Sequence, residues 1–274
     1  MKAMKKLSFN VIVLWCVSVF LMTSCMTGDG GNKQSGQAFG VVRFDMKAMK
    51  NVLDVNTYDS FYSSLFANDF DGDCFLVTYE IDYDLPENSY ESVLANGYLT
   101  VQLTDNPTPV NSKDVSFSTF IPDTTKALTD EVPLIDGIND VAFEYNFYIR
   151  GMFFMVSSAE VPTDQKMYWN LAYDPEHLVS EENSQRYYDL YLRSTIRRVG
   201  EESKKQTGFI NAFNMKYYLE MIVQREKTLG ATSTSTFKLR VHYPSAISDT
   251  GVLTWKTQDS REIQLGTIVP DSTQ

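Results

Sequence analysis

Residues 74–83 read CFLVTYEIDY. The run is rich in β-branched and aromatic residues, and from Tyr79 onward apolar and acidic residues alternate. Tyr79, Ile81 and Tyr83 fall on one side, and Glu80, Asp82 and Asp84 on the other. A period of two is the signature of a strand with one face on a core and one in water. The same rhythm recurs nearby. In GYLTVQL, residues 97–103, Tyr98, Thr100 and Gln102 alternate with Leu99, Val101 and Leu103, and residues 115–121 alternate again. Turn formers separate the runs at Asp71-Gly72 and at residues 86–89, 106–109 and 122–125. Short strands at regular spacing predict an all-β chain of antiparallel type.

A second series of strands follows. Residues 140–149 and 152–157 flank Arg150-Gly151, a hairpin signal, and residues 167–173, 186–195, 236–243, 253–255 and 262–265 continue the set. Residues 209–225 alternate Met215, Tyr217, Leu219, Met221 and Val223 against Lys216, Tyr218, Glu220, Ile222 and Gln224. A strand is expected there because Tyr, Ile and Val recur, although Glu, Lys and Met favour helices. A short helix is expected only in YDSFYSSLFA, residues 58–67. The polar stretch KALTDEVPLIDG, residues 126–137, separates the two series. The expected domains are therefore 39–129 and 130–274.

Upstream, Lys2, Lys5 and Lys6 precede an apolar run over residues 7–22, the pattern of a secretory signal rather than a spanning helix. Leu21, Met22, Thr23, Ser24 and Cys25 then resemble a bacterial lipobox. Residues 1–24 are expected to be removed and the Cys25 thiol to take the lipid, whose chains hold the protein to a membrane. Residues 25–38 are rich in Gly, Ser, Asn and Gln and read as a flexible tether. The net charge of −11 becomes more negative once the three leader lysines are gone. That excludes the basic footprint of a nucleic-acid binder. Of three cysteines, Cys16 leaves with the signal and Cys25 is lipidated, so Cys74 has no partner for an internal disulfide.

No motif announces catalysis. GxSxG, P-loop and GxGxxG patterns are missing, and His177 and His242 lack metal-ligand spacing. No cofactor is expected and the chain reads as a non-enzyme. Asp69, Asp71 and Asp73 in NDFDGD could donate oxygens to a cation, but Asp-Gly before a strand is also an ordinary turn. Tyr187, Asp189 and Tyr191 project from one side of YYDLYL, opposite Tyr188, Leu190 and Leu192. An exposed aromatic pair beside a carboxylate suits a ligand face, and aromatic pairing across strands is the plainer alternative. Arg197, Arg198, Lys204 and Lys205 surround Glu201 and Glu202, as in a mixed-charge hairpin loop.

The lipobox, the segment DGDCFLVTYEIDYD, and then MYWNLAYDPE, YYDLYLRST and TFKLRVHY fall in an order that resembles the NigD-like lipoproteins of Bacteroides-type bacteria. The resemblance implies an OB-like N-terminal barrel followed by an Ig-like β-sandwich. It transfers no catalytic residues. The expected protein is an outer-membrane lipoprotein, its cell-surface face favoured over the periplasmic one, acting as a non-enzymatic binding or interaction module with an unknown protein or glycan partner. The alternative is a glycan-binding accessory of a polysaccharide-uptake system. A pilus-type subunit is disfavoured, because Arg43 in VVRFD is its only candidate processing site.

Overall fold

The computed structural model describes residues 32–56, 59–135, 137–138, 148–177, 179–182 and 185–268. Residues 21–25, with Cys25, lie outside them.

The N-terminal unit is built from β1 (Lys33–Asp45), β2 (Lys50–Asp54), β3 (Ser60–Tyr62), β4 (Cys74–Asp82), the helix α1 (Tyr90–Asn96), β5 (Leu99–Thr100), β6 (Gln102–Leu103) and β7 (Thr108–Pro109). The long β1 pairs antiparallel with both β2 and β4. β2 continues to β3, and β3 pairs in parallel with β5. β6 and β7 pair with β4. Residues 99–103 thus act as one strand split at Val101, its first half on β3 and its second half on β4. The sheet curls into a partly open barrel of OB-like order, and no continuous ladder closes it. Val42, Leu53, Phe61, Phe66, Val77 and Val101 fill the inside. Gly40 permits this curl, since a Cβ there would stand 2.3 Å from Leu53 Cγ.

The C-terminal unit holds β8 (Val115–Ser118), β9 (Tyr148–Ile149), β10 (Met152–Pro162), β11 (Lys166–Ala172), β12 (Val179–Glu182), β13 (Gln185–Arg198), β14 (Lys204–Asn214), α2 (Lys216–Thr228), β15 (Thr236–Ile247), β16 (Leu253–Asp259), β17 (Ile263–Gln264) and α3 (Leu265–Ile268). One sheet runs β14-β10-β9. The other runs β16-β15-β13-β11-β8, with β12 on β13 and β17 on β15. Phe153, Met155 and Phe213 of the first share a core with Trp169, Leu190 and Leu239 of the second. The alternation read at 188–192 therefore places Tyr188, Leu190 and Leu192 inside, as expected.

Several expectations are corrected. Residues 216–228 are helical, not a strand. Tyr218, Leu219, Ile222, Val223 and Glu226 are buried, a helical face, so the two-residue alternation was a coincidence of a sequence carrying both periods. Arg225 and Lys227 in the last turn suit the negative end of its dipole. The tether is shorter than read, because Lys33 to Ala38 pair with Asp82 to Val77. In the segment expected to be helical, Ser60–Tyr62 is a strand and only Ser64–Phe66 forms a 3-10 turn. Val115–Ser118, read as part of the first domain, pairs with β11 in the second. The sandwich departs from an all-antiparallel Ig pattern, since β8 with β11 and β13 with β15 are parallel pairs. Residues 199–203 are not a hairpin loop but cross from one sheet to the other.

The two units are joined by an apolar seam and an ion pair. The Phe39 and Phe154 rings stack at 5.0 Å, beside buried Val41, Cys74, Ile149 and Ala212. The β9–β10 turn places Arg150 at φ 49° and Gly151 at φ 88°, the pattern of a type I′ hairpin. A non-glycine residue in that region costs ~1–2 kcal/mol. Arg150 occupies it with its guanidinium 3.4 Å from Asp54 Oδ2 of the first unit. Asp54 also accepts from Ser60 Oγ at 2.6 Å and from Arg43 Nε. Phe154→Ala is expected to destabilise by ~3–5 kcal/mol, with both units melting in one calorimetric transition. Two separate transitions in the wild-type chain would show that the seam does not couple them.

Candidate functional site

The parallel pairing of β13 with β15 sets Tyr187 opposite Lys238, Asp189 opposite Arg240 and Tyr191 opposite His242. β16 adds Thr257 beside His242 and Asp259 beside Arg240. Since Leu190, Val241 and their neighbours face the core, these polar and aromatic side chains line the outer face.

They are locked to one another. Arg240 meets Glu182 through two parallel bonds, Nη1 to Oε1 at 2.8 Å and Nη2 to Oε2 at 3.1 Å, and its Nε donates to Asp259 Oδ1 at 2.8 Å. Its guanidinium lies 3.8 Å from the centre of the Tyr187 ring. Such bidentate and stacked arrangements fix an arginine more firmly than a point contact does. Asp189 Oδ2 accepts from Ser180 Oγ at 2.8 Å, and Asp189 Oδ1 lies 2.7 Å from His242 Nε2. An ionised carboxylate only accepts, so the Nε2 nitrogen carries the shared proton. The His242 ring stacks on Tyr191 at 4.7 Å and 14°, and Trp255 meets Tyr191 edge-on at 6.0 Å. Trp255 Nε1 donates to Thr124 O at 2.8 Å.

One end of the row is closed. Arg193 is next on the same face, but residues 123–131 pass over it. It is 2% exposed, paired with Glu131, and donates to the carbonyls of Asp123 and Lys126. What remains accessible is a ledge of half-buried rings at Tyr187, Tyr191 and Trp255 around the Asp189–His242 pair.

Titration follows from this geometry. Burial of Asp189 opposes its charge, but the bonds from His242 and Ser180 and the nearby Arg240 outweigh it, so its carboxyl titrates below the usual range. Arg240 likewise holds Glu182 low. Burial, then Asp189, push the Tyr191 phenol up.

The other candidates resolve differently. Asp71 Oδ1 accepts from Phe44 N at 3.2 Å and stands 3.8 Å from Arg150. Asp73 Oδ2 accepts from Phe70 N at 2.9 Å, and Gly72 at φ 91° turns the chain. Asp69, Asp71 and Asp73 thus sit in a turn. Among the described residues no three His, Cys, Asp or Glu groups converge as a metal site. The Cys74 thiol is buried and pushed up to about 12 by burial, then by Asp73, so it is not a thiolate at neutral pH. His177 pairs with Asp174 at 2.9 Å in an exposed loop.

The sequence reading set Tyr187, Asp189 and Tyr191 on one side of their strand but did not place Ser180, Glu182, Arg240, His242, Trp255 and Asp259 beside them. The available signal was the matching parity of Lys238, Arg240 and His242 on β15, a basic row with the spacing of the Tyr187–Asp189–Tyr191 row.

Residues 30–107 match the family model described as a lipoprotein OB domain. No curated protein matches the chain. An uncharacterized protein from Parabacteroides merdae is similar in structure, 20% identical with TM-score 0.67, over 84% of this chain and 99% of that one. A candidate lipoprotein from Bacteroides fragilis is 13% identical with TM-score 0.50, over 82% and 97%. A NigD-like immunity protein from Bacteroides caccae is 11% identical with TM-score 0.43, over 83% and 94%. The family model places an OB domain in the N-terminal part, and the Parabacteroides merdae and Bacteroides fragilis structures share the fold of the chain.

Because the Asp189 carboxyl is held below its unfolded value, it contributes stability above about pH 4 that is lost as pH falls through the lower folded value. Denaturant titrations should show stability falling as the pH drops below about 4, with a shallower slope in Asp189→Asn. An unchanged slope would remove Asp189 from the pH dependence.

Proposed function

We propose that this chain is a lipid-anchored, non-enzymatic binding module of the outer membrane, with the β13–β15–β16 outer face as its contact surface. The observation that carries this reading is the ledge itself. Its rings are held in place by the Arg240–Glu182 and Asp189–His242 pairs before any ligand arrives, which lowers the ordering cost of binding. The anchor rests on Cys25 and the residues before it, and surface exposure is favoured over a periplasmic position.

The ligand class that suits the ledge best is a glycan, whose C–H faces pack on rings while its hydroxyls meet neighbouring polar groups. Tyr191 backed by His242 and flanked by Trp255, with a carboxylate alongside, has that composition. A protein partner remains the broader form of the same reading.

The test is a broad glycan screen of the mature chain, repeated with Tyr187→Ala combined with Tyr191→Ala. Loss of two ring contacts at ~0.5–1.5 kcal/mol each should weaken binding by roughly fivefold or more. Cys25→Ala should leave that binding intact while releasing the protein from the membrane fraction. A blank screen, or binding that the double variant leaves unchanged, would remove the glycan reading. Membrane retention of the Cys25 variant would remove the anchor.

A further inference from the structure

A separate feature lies in the N-terminal unit, beside Asn32. Tyr83 N donates to Asn32 O at 2.9 Å, and Asn32 N donates to Asp84 Oδ2 at 3.3 Å. The chain after β4 is then tied back on itself. Asn88 Nδ2 donates to Asp82 O at 2.9 Å, Ser89 Oγ caps α1 by accepting from Ser92 N, and Ser92 Oγ donates to Pro86 O at 2.8 Å. These bonds hold α1 close to the Lys33–Asp82 pair that opens β1.

A surface helix normally turns its apolar stripe inward. α1 does the reverse and buries none of its residues. Its large apolar side chains Tyr90 and Leu94 are four positions apart, so they share one face, and they are 77% and 71% exposed. Tyr83 and Leu85 are exposed just before it. At the other end Lys47 Nζ donates to Ala95 O, which brings the β1–β2 turn against α1 with Met46 and Met49 exposed. Exposed apolar side chains thus gather round one short helix that contributes nothing to the barrel core.

The position of Cys25 decides what covers this face. Seven peptide steps separate Cys25 from Asn32, so the two are at most about 25 Å apart. A lipid on Cys25 holds the α1 side of the unit within that distance of the bilayer. Contact between α1 and the bilayer is then intramolecular, at the ~mM effective concentration of a short tether, and needs little affinity of its own. Tyr, with an apolar ring and a polar tip, and Leu are side chains that settle at a bilayer interface.

Charge selects the headgroup. Asp84, Glu87 and Glu91 are exposed along the segment, and Asp59 stands near Tyr83. Of the two lysines beside them, Lys33 is held by Glu80 and Asp82, and Lys47 by the Ala95 carbonyl. The balance is acidic, so an anionic lipid surface repels it. The ammonium groups of a zwitterionic surface meet these carboxylates at headgroup level.

We infer that α1 and the turns beside it form a membrane-docking face, which seats Tyr90 and Leu94 in the interface of a zwitterionic bilayer and fixes the orientation of the anchored chain. The inference rests on the lipid at Cys25 proposed above and not on the ledge of β13, β15 and β16.

The test uses the natively lipidated chain in vesicles of phosphatidylethanolamine and acyl-brominated phosphatidylcholine. Flotation with the vesicles reads the anchor, and quenching of an added indole reads the docking. Seating ~5–10 Å into the headgroup–acyl boundary brings the indole of Leu94→Trp to the bromines, so its emission, with the wild-type signal subtracted, should fall roughly twofold or more. The emission of Tyr217→Trp, similarly exposed on α2, should not change. Adding Tyr90→Ser should remove most of the Leu94→Trp quenching, and replacing part of the lipid with phosphatidylglycerol should weaken it. A wild-type chain that stays behind when the vesicles float would remove the anchor and this inference with it. Flotation with the Leu94→Trp indole unquenched would overturn the docking alone, as would equal quenching of Tyr217→Trp or quenching that strengthens with phosphatidylglycerol. Self-association of the Cys25→Ala chain that is lost on combining Tyr90→Ser with Leu94→Ser would overturn it too, by assigning the face to a second copy.

Discussion

The constraint on which the outer face depends is the parallel register of β13 against β15. It sets Asp189 between Arg240 and His242 and brings Tyr191 under the His242 ring. A shift of one residue would exchange the core and outer faces of β15. Tyr188, Leu190, Leu239 and Val241 are each 0% exposed, so that exchange would bury Arg240 and His242 in their place. The same apolar alternation that makes the sandwich therefore fixes the ledge. The charged pairs on the outside do not build the sheet; they arrest side chains that the register has already placed.

The junction between units works by the same division of labour. Apolar contact at Phe39 and Phe154 supplies the adhesion, and the Arg150–Asp54 pair sets the direction of approach. With Arg150 39% exposed, such a pair contributes little net stability and more to geometry. The left-handed backbone at Arg150 is consistent with this, since glycine or asparagine would fit the turn with less strain, but neither could reach Asp54 with a positive charge.

Much of this was legible in the sequence, because strand alternation is a local signal. Residues 74–83 and 97–103 could be assigned to strands, and the inner and outer sides of 187–192 could be sorted, from parity alone. The α2 segment could not. Residues 215–223 satisfy a period of two and a period of 3.6 together, and only the tertiary core, which takes Tyr218, Leu219, Ile222 and Val223, decides between them. The partners of Asp189 were also hidden. His242 is 53 positions away and its neighbourhood depends on a parallel pairing that no turn dictates. Val115–Ser118 was misplaced for a related reason: it follows the first strand series in sequence, yet it pairs with β11 across a long insertion.

The claim at the centre of this account is that the ledge is organised before it meets a ligand, with Asp189 holding His242. Proton NMR of the mature chain in water tests it directly. The expected result is a downfield, slowly exchanging His242 Hε2 resonance at neutral pH that disappears in Asp189→Asn. A His242 ring whose Nε2 proton exchanges freely, unaffected by Asp189→Asn, would contradict the pairing and with it the organised face.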